Sequence, residues 1–289
     1  MSSTVSTGFT EGVVSEIHEK AYKMLYEAGL TRHLCKPVGQ GAKGDQVKVP
    51  YFNPTTFAAA ASVLTEANDF TTTTALTNAS VIITASEFGI GSFLTDVTRE
   101  SSIVDIKEEI ARQQAIGVSA KLENHILAAM GTGFVTGTVT GTNSTTGFTF
   151  SDYAKARAKL KRKILTVPGR KSAVIPEYSW YYTAVSTFSQ TYASAMGSVG
   201  NKVLDQYHVQ TLFGDTDVYF SNYIADATAA VGFMFVRDAI GLWTPRDYKL
   251  EPQRDASARG DELISTMRAG AKVMIGAYGV RMKMYSHLT

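Results

Sequence analysis

The sequence predicts a mixed α+β fold, because helical and strand patterns both recur along its 289 residues. Residues 102–130 carry apolar side chains at helical spacing, with Gly131 as the expected stop. The run Val231–Val236 is almost wholly apolar, which favours a central position in a sheet. In Lys272–Tyr285, apolar side chains alternate with basic ones, as in a half-buried strand.

The N-terminal part begins with a predicted helix from Glu11 to Ala28, for which Thr10 can serve as the N-cap and Gly29 as the residue after the C-cap. Two strand-like runs follow, Val47–Phe52 and Val81–Phe93. Each has the β-branched and aromatic content typical of strands.

The segment between these two runs is rich in alanine, threonine and asparagine. Residues 51–100 hold one basic and five acidic side chains, a local charge of −4. Few large apolar side chains are present, so burial within the segment cannot offset the cost of ordering it. We expect a neighbouring subunit to cover it; the alternative is a mobile surface loop.

The longest predicted helix begins at Ser101 or Ser102 and has acidic residues in its early turns, where they suit the helix dipole. It is expected to run to Met130, a rod of roughly 42 Å at 1.5 Å per residue. The uncharged stretch Gly131–Gly147 is then expected to be a flexible loop or the exposed tip of a β-ribbon.

A basic helix is predicted from Ser151, as its N-cap, to Leu165, with an apolar side that includes Tyr153 and Leu160. Residues 151–200 hold eight basic and two acidic side chains, a charge of +6. The basic face could neutralise phosphates of nucleic acid. The alternatives are a solvated face or a face complementary to the acidic segment of a neighbouring subunit. The residues of this basic face are Lys155, Arg157, Lys159, Lys161, Arg162 and Lys163.

The remaining patterns complete the mixed architecture. Ser172–Pro176 reads as a short buried strand ended by proline, and the aromatic-rich stretch after it reads as a helix. Asp217–Ile224 reads as a further strand. The tripeptide Arg259-Gly260-Asp261 is interpreted as a turn.

Motifs of catalysis and cofactor binding are missing from the sequence. It contains no GxxxxGK[ST], GxSxG or HExxH pattern, and its five histidines are scattered. We therefore expect no catalytic, cofactor-binding or metal site and no enzymatic activity; an α+β hydrolase with an unrecognised site remains an alternative. The only cysteine, Cys35, is interpreted as a free thiol. No segment has the length and apolarity of a membrane helix or a secretory signal.

The order of these features resembles the major capsid proteins of tailed bacteriophages, which have the Hong Kong 97-like fold. The resemblance is carried by feature order and length over nearly the whole chain, including the stretch KSAVIPEYSWYY and the C-terminal run from RDYKLEPQ to VRMKM. Within the family it is nearest to the branch with capsids like that of phage N-four. It implies an N-terminal arm (1–45), an E-loop hairpin (46–95), a peripheral domain with a long spine helix (96–149), an inserted axial domain (150–244) and a C-terminal peripheral segment (245–289).

The resemblance also implies a function. The chain is expected to be a structural protein that self-assembles into hexamers and pentamers of an icosahedral shell enclosing phage DNA, which it would contact non-specifically. The expected partners are further copies of the chain, a separate scaffolding protein, a cement protein and a portal protein. The expected locations are the host cytoplasm during synthesis and then the virion. The alternative is a nucleic-acid-binding protein that uses helix 152–165. Because no lysine lies between Lys48 and Lys107, covalent cross-linking through the E-loop is not expected.

Overall fold

The computed structural model describes residues 29–39, 43–52, 78–101, 106–134, 138–140, 148–163, 170–176, 179, 211–212, 215–224 and 230–284. These residues form helices and strands in the mixed order that the sequence predicts. The helices are α1 (Leu30–Leu34), α2 (Asp96–Ser101), α3 (Ile106–Gly133) and α4 (Phe150–Lys163). The strands are β1 (Lys36–Pro37), β2 (Gln46–Phe52), β3 (Asn78–Thr84), β4 (Ser86–Thr95), β5 (Val139–Thr140), β6 (Lys171–Ile175), β7 (Thr211–Leu212), β8 (Thr216–Phe220), β9 (Ala230–Val236), β10 (Ile240–Asp255), β11 (Gly260–Val273) and β12 (Gly279–Met284).

A four-stranded sheet in the order β1-β10-β11-β4 supports the long helix α3. Its centre is the antiparallel hairpin of β10 and β11, with β4 antiparallel to β11. Along β11, Leu263 and Met267 are buried, and along α3 so are Val118, Leu122 and Ile126. The apolar stripe of the helix therefore packs on one face of the hairpin.

A buried chain of polar groups joins α3 to this hairpin. The side-chain amide of Gln114 donates to the Leu263 carbonyl at 2.9 Å, and its oxygen accepts from Ser265 Oγ at 2.6 Å. The hydroxyls of Ser265 and Tyr248 lie 2.8 Å apart. All three side chains are buried, so these bonds stabilise one particular register of helix and hairpin.

The second sheet has six strands in the order β5-β12-β9-β6-β8-β7. The predicted central position of Val231–Val236 is confirmed, because β9 lies between β12 and β6. The alternation in β12 is also confirmed: Val280, Met282 and Met284 are fully buried, whereas Lys283 is exposed.

The long helix differs from its prediction at its C-terminal end. At the N-terminal end, Asp96–Ser101 is helical and α3 is described from Ile106 onward, while residues 102–105 lie outside the described residues. At the C-terminal end, α3 continues through Gly131 to Gly133. The fully buried Phe134 follows, with its ring 6.2 Å from that of Phe235. Burial of this ring against the six-stranded sheet holds the last turn in place, a tertiary effect that overrides the glycine.

The expectation of an exposed tip or flexible loop for 131–147 is wrong where the structure describes this stretch. Val139 is only 5% exposed and pairs with Met282 at the edge of the six-stranded sheet. A single apolar side chain in the Gly/Thr-rich sequence is thus enough to dock it. Residues 135–137 and 141–147 lie outside the described residues.

The predicted strand Val81–Phe93 is two strands. β3 pairs with β2, from Gln46 opposite Thr84 to Phe52 opposite Asn78, whereas β4 pairs with β11. The change of partner falls at Ala85, whose N–H donates to the Asp45 carbonyl at 3.0 Å. The run Val81–Phe93 therefore contributes strands to two different sheets.

Three smaller predictions are corrected. The strand expected to reach Ile224 ends at Phe220. The C-terminal strand expected from Lys272 begins at Gly279, because residues 272–273 still belong to β11. Of the predicted turn at 259–261, only Arg259 is in a turn; it has a φ of 51°, and β11 begins at Gly260.

The predicted helix from Glu11 to Ala28, residues 53–77 and the aromatic-rich stretch after Pro176, apart from Ser179, lie outside the described residues. In the described part of the chain, no helix combines the length and apolarity needed to cross a membrane.

Candidate assembly and nucleic-acid interface

Helix α4 carries the basic face and docks through its apolar side, as predicted. Tyr153, Ala156 and Leu160 are fully buried, at the helical spacing of three and four residues. The ring of Tyr153 meets that of Phe148 edge-on, with 4.6 Å between ring centroids. The helix packs on β12 and β9, so its basic side chains project from an anchored helix.

The N-terminus of α4 is capped two residues earlier than the prediction, which placed the cap at Ser151. Asp152 Oδ2 accepts hydrogen bonds from the backbone N–H of Thr149 at 3.1 Å and from its hydroxyl at 2.8 Å. The Thr149 carbonyl in turn accepts from the N–H of Tyr153 at 3.2 Å. Thr149 is thus the N-cap, and the Asp152 carboxylate reaches back to its N–H as the third residue of a capping box does.

The structure places Lys155 and Lys159 on exposed surface, each with a bond to its own chain. Lys155 Nζ lies 3.0 Å from the buried Asp152 Oδ1, and the lysine side chain is 55% exposed. Lys159 Nζ donates to the Thr138 carbonyl at 2.8 Å, beside β5. Both ammonium groups keep water-facing donors, because each has three.

Arg157 takes part in an ion cluster at the edge of the six-stranded sheet. Its Nε lies 3.0 Å from Asp215 Oδ1, and Lys171 Nζ lies 2.6 Å from Asp215 Oδ2. Burial raises the pKa of Asp215, but bonds from Arg157 and Lys171 outweigh it and lower the pKa to about 2. Arg157 therefore ties α4 to the start of β8 and β6.

We expect Asp215→Asn to reduce the free energy of unfolding at neutral pH by about 0.5–1 kcal/mol, a small value because the carboxylate is partly exposed and screened. A lowered pKa stabilises the fold above the unfolded value and loses that effect as pH falls through the folded value. The difference between wild type and variant should therefore disappear between about pH 4 and pH 2. Urea unfolding at several pH values measures it; a difference unchanged at pH 2 would contradict the assignment.

Lys161, Arg162 and Lys163 belong to α4, but their side chains lie outside the described part of the structure. The helix brings the six predicted basic residues onto one element. Two further basic residues, Arg170 and Lys171, lie near this basic face and were not included in its prediction from the sequence. Arg170 is 77% exposed and lies 3.7 Å from Asp217. The high density of basic residues before Lys171 was the available signal.

A second surface, at the far end of the long hairpin, was not found from the sequence. Arg254 makes two bonds of 2.6 Å to the Asp96 carboxylate, and it also contacts Asp261 at 3.2 Å. Lys107 lies 2.5 Å and Arg99 3.3 Å from the same Asp261. These five side chains join α2, the start of α3 and both hairpin strands.

Two large apolar side chains that lie close to Asp96 in the sequence are exposed. Phe93 is 47% exposed and Val97 is 76% exposed. The Phe93 ring lies over Gly260, where a Cβ would come within 2.4 Å of it. Exposed apolar groups beside a charged rim are typical of surfaces that contact another protein.

The described residues contain no group of three or more histidine, cysteine, aspartate or glutamate side chains placed to hold a metal ion.

The chain belongs to the phage capsid protein family, since the family model so described matches residues 77–281. The predicted role as a structural major capsid protein of a tailed bacteriophage is thereby confirmed. The alternative of a dedicated nucleic-acid-binding protein gains no support. A comparison with curated protein sequences finds no match.

Solved structures of phage proteins share the fold at low sequence identity. One from Mycobacterium phage Che8 is 16% identical with a TM-score of 0.68, covering 88% of this chain and 90% of that one. The capsid of cyanophage P-SCSP1u is 14% identical with a TM-score of 0.65, covering 90% and 89%. The capsid of cyanophage Pam1 is 10% identical with a TM-score of 0.67, covering 86% and 87%. The predicted α+β, Hong Kong 97-like fold is confirmed.

Proposed function

We propose that this capsid protein assembles with copies of itself into hexamers and pentamers of an icosahedral shell that encloses phage DNA. The observation that carries the proposal is the family match over residues 77–281. Closed symmetric assembly buries surfaces that a monomer leaves exposed, and the exposed Phe93 and Val97 are such surfaces. A shell subunit of this kind is a structural protein without an enzymatic role.

The proposed division of the chain follows the sequence reading: arm 1–45, E-loop 46–95, peripheral domain 96–149 with 245–289, and axial domain 150–244. The β2–β3 pair supports an E-loop base, since it leads directly into residues 53–77. The peripheral domain would contain α3 and most of the long hairpin. β12 pairs with β9, so the C-terminal segment also supplies a strand to the sheet of the axial domain. The proposed boundary at 244/245 falls inside β10.

The basic face of α4 is proposed to meet either packaged DNA or an acidic surface of a neighbouring subunit. Lys155 and Lys159 support it because they are exposed on a helix whose other side is buried. Arg157 contributes less, because Asp215 already neutralises part of its charge. Binding through such lysines would be independent of sequence and sensitive to salt. A scaffolding protein, a cement protein and a portal protein are the further partners proposed, with synthesis in the bacterial cytoplasm.

Electron microscopy of the purified protein tests the proposal. We expect closed shells or ring-shaped capsomers, and denaturing electrophoresis of the same particles should show the 31.2 kDa chain without covalent ladders. The second expectation follows from the absence of lysine between Lys48 and Lys107. A compact monomer at every concentration and ionic strength would contradict shell formation; ladders would contradict noncovalent assembly alone.

A further inference from the structure

Glu123 is a buried acid in the middle of α3. Its side chain is 2% exposed, although glutamate is rarely buried without a partner of opposite charge. Oε1 accepts a hydrogen bond from Ser221 Oγ at 2.7 Å, just after β8. The backbone N–H of Leu30, at the start of α1, also bonds to the carboxyl. One side chain thus joins α1, α3 and the end of β8.

The other carboxyl oxygen of Glu123, Oε2, is buried and has no hydrogen-bond partner among the described residues. A charged carboxylate with an oxygen that no protein group bonds is costly to bury, because burial penalises the charged form far more than the neutral one. Burial accordingly raises the pKa of Glu123, and the bonds from Ser221 and Leu30 offset only part of this effect. The site favours the neutral acid.

Among the described residues, no cationic side chain bonds to the Glu123 carboxyl. At the end of α1, burial raises the pKa of the Cys35 thiol to about 12. The Arg237 guanidinium, after β9, bonds to the Cys35 carbonyl through Nε at 3.3 Å. On α1, Arg32 contacts Asp247 at 3.2 Å. Near Ser221, the backbone N–H of Tyr223 donates to the Ser221 hydroxyl at 3.4 Å.

We infer that Glu123 is a pH-sensitive latch that holds α1 against α3 and the end of β8. The neutral acid fits this buried site, whereas the ionised acid gains hydrogen bonds when α1 separates from α3. The stabilisation is complete below the unfolded pKa, about 4.3, and is lost as pH rises through the higher folded value.

Cys35 provides a direct probe of the latch. It is the only cysteine of the chain and is 1% exposed at the end of α1, so separation of α1 should raise its rate of reaction with a thiol reagent. The experiment measures the labelling rate of the full-length protein with a dithiodipyridine between about pH 5 and pH 8. The urea-unfolded chain is labelled at each pH as well, because an unfolded cysteine begins to ionise within this range, its pKa being about 8.5. Dividing the rate of the urea-unfolded chain by this rate gives a protection factor for each pH.

We expect the wild-type protection factor to fall with rising pH, by up to about tenfold per unit for one coupled proton, and that of Glu123→Gln to stay constant. Ser221→Ala removes a bond that favours the ionised form, so its protection should fall over a wider pH range. Glu109→Gln is the matched control: this residue of the same helix is 43% exposed and should leave the wild-type profile unchanged. A wild-type factor independent of pH overturns the latch whether or not the variants fold, and so does a parallel fall in Glu123→Gln.

Discussion

Replacing Gly270 with alanine is expected to destabilise the chain by at least about 3 kcal/mol, more than the usual cost of overpacking. A Cβ at this position would lie 2.3 Å from the Thr84 carbonyl oxygen and 2.9 Å from its carbon. These are backbone atoms, so no side-chain rotation relieves the overlap. Either β3 and the Thr84–Ala85 connection must move away from β11, or β11 must bend.

The matched control is Gly91→Ala, in the neighbouring strand β4. A Cβ there meets only the Glu262 carboxylate at 3.9 Å, an ordinary contact. Alanine in a strand is favoured over glycine by roughly 0.5–1 kcal/mol, so this variant should be neutral or slightly more stable. Urea unfolding at one protein concentration compares the two, because any association between chains shifts the apparent stability with concentration. Similar effects in both would show that the approach of Thr84 to Gly270 is not close.

Leu160→Ala is expected to cost about 2–4 kcal/mol, the range for a leucine lost from a tight core. The leucine is fully buried where α4 packs on the six-stranded sheet. The cavity would weaken the docking of α4 on the sheet, so the salt-sensitive contacts proposed for its basic face should weaken with it. Thermal unfolding of wild type and variant under identical conditions measures the loss.

Lys159, the residue next to Leu160, supplies the control. Lys159→Ala removes an exposed side chain that donates to the Thr138 carbonyl, and a change of this kind usually stays within about 0.5 kcal/mol. An equal loss of stability in both variants would mean that α4 is not held by its apolar side.

Sequence alone predicted the elements whose signal is local. β9 and β12 were recognisable because a wholly apolar run and an alternating run carry their own burial pattern. The docked side of α4 was recognisable for the same reason, since Tyr153, Ala156 and Leu160 recur at helical spacing.

What could not be predicted depends on residues far apart in the chain. Arg157 and Asp215 are 58 positions apart (215 − 157), so no spacing rule connects them. The continuation of α3 past Gly131 depends on Phe134 meeting β9, a contact made only by the folded chain. By contrast, the pairing of Lys155 with Asp152 has a local i,i+3 spacing. This ion pair could therefore have been predicted from the sequence.

The position of β12 has a consequence for the order of events during synthesis. This strand lies between β5 and β9, and Met282 pairs with Val139, 143 residues earlier (282 − 139). The ribosome must therefore make residues 279–284, which form β12, before β9 can pair on the side away from β6. β5 cannot join the sheet earlier either, because β12 is the strand with which it pairs. Such a delay exposes apolar surface on the nascent chain. A chain whose translation stops before this strand therefore lacks the complete six-stranded sheet.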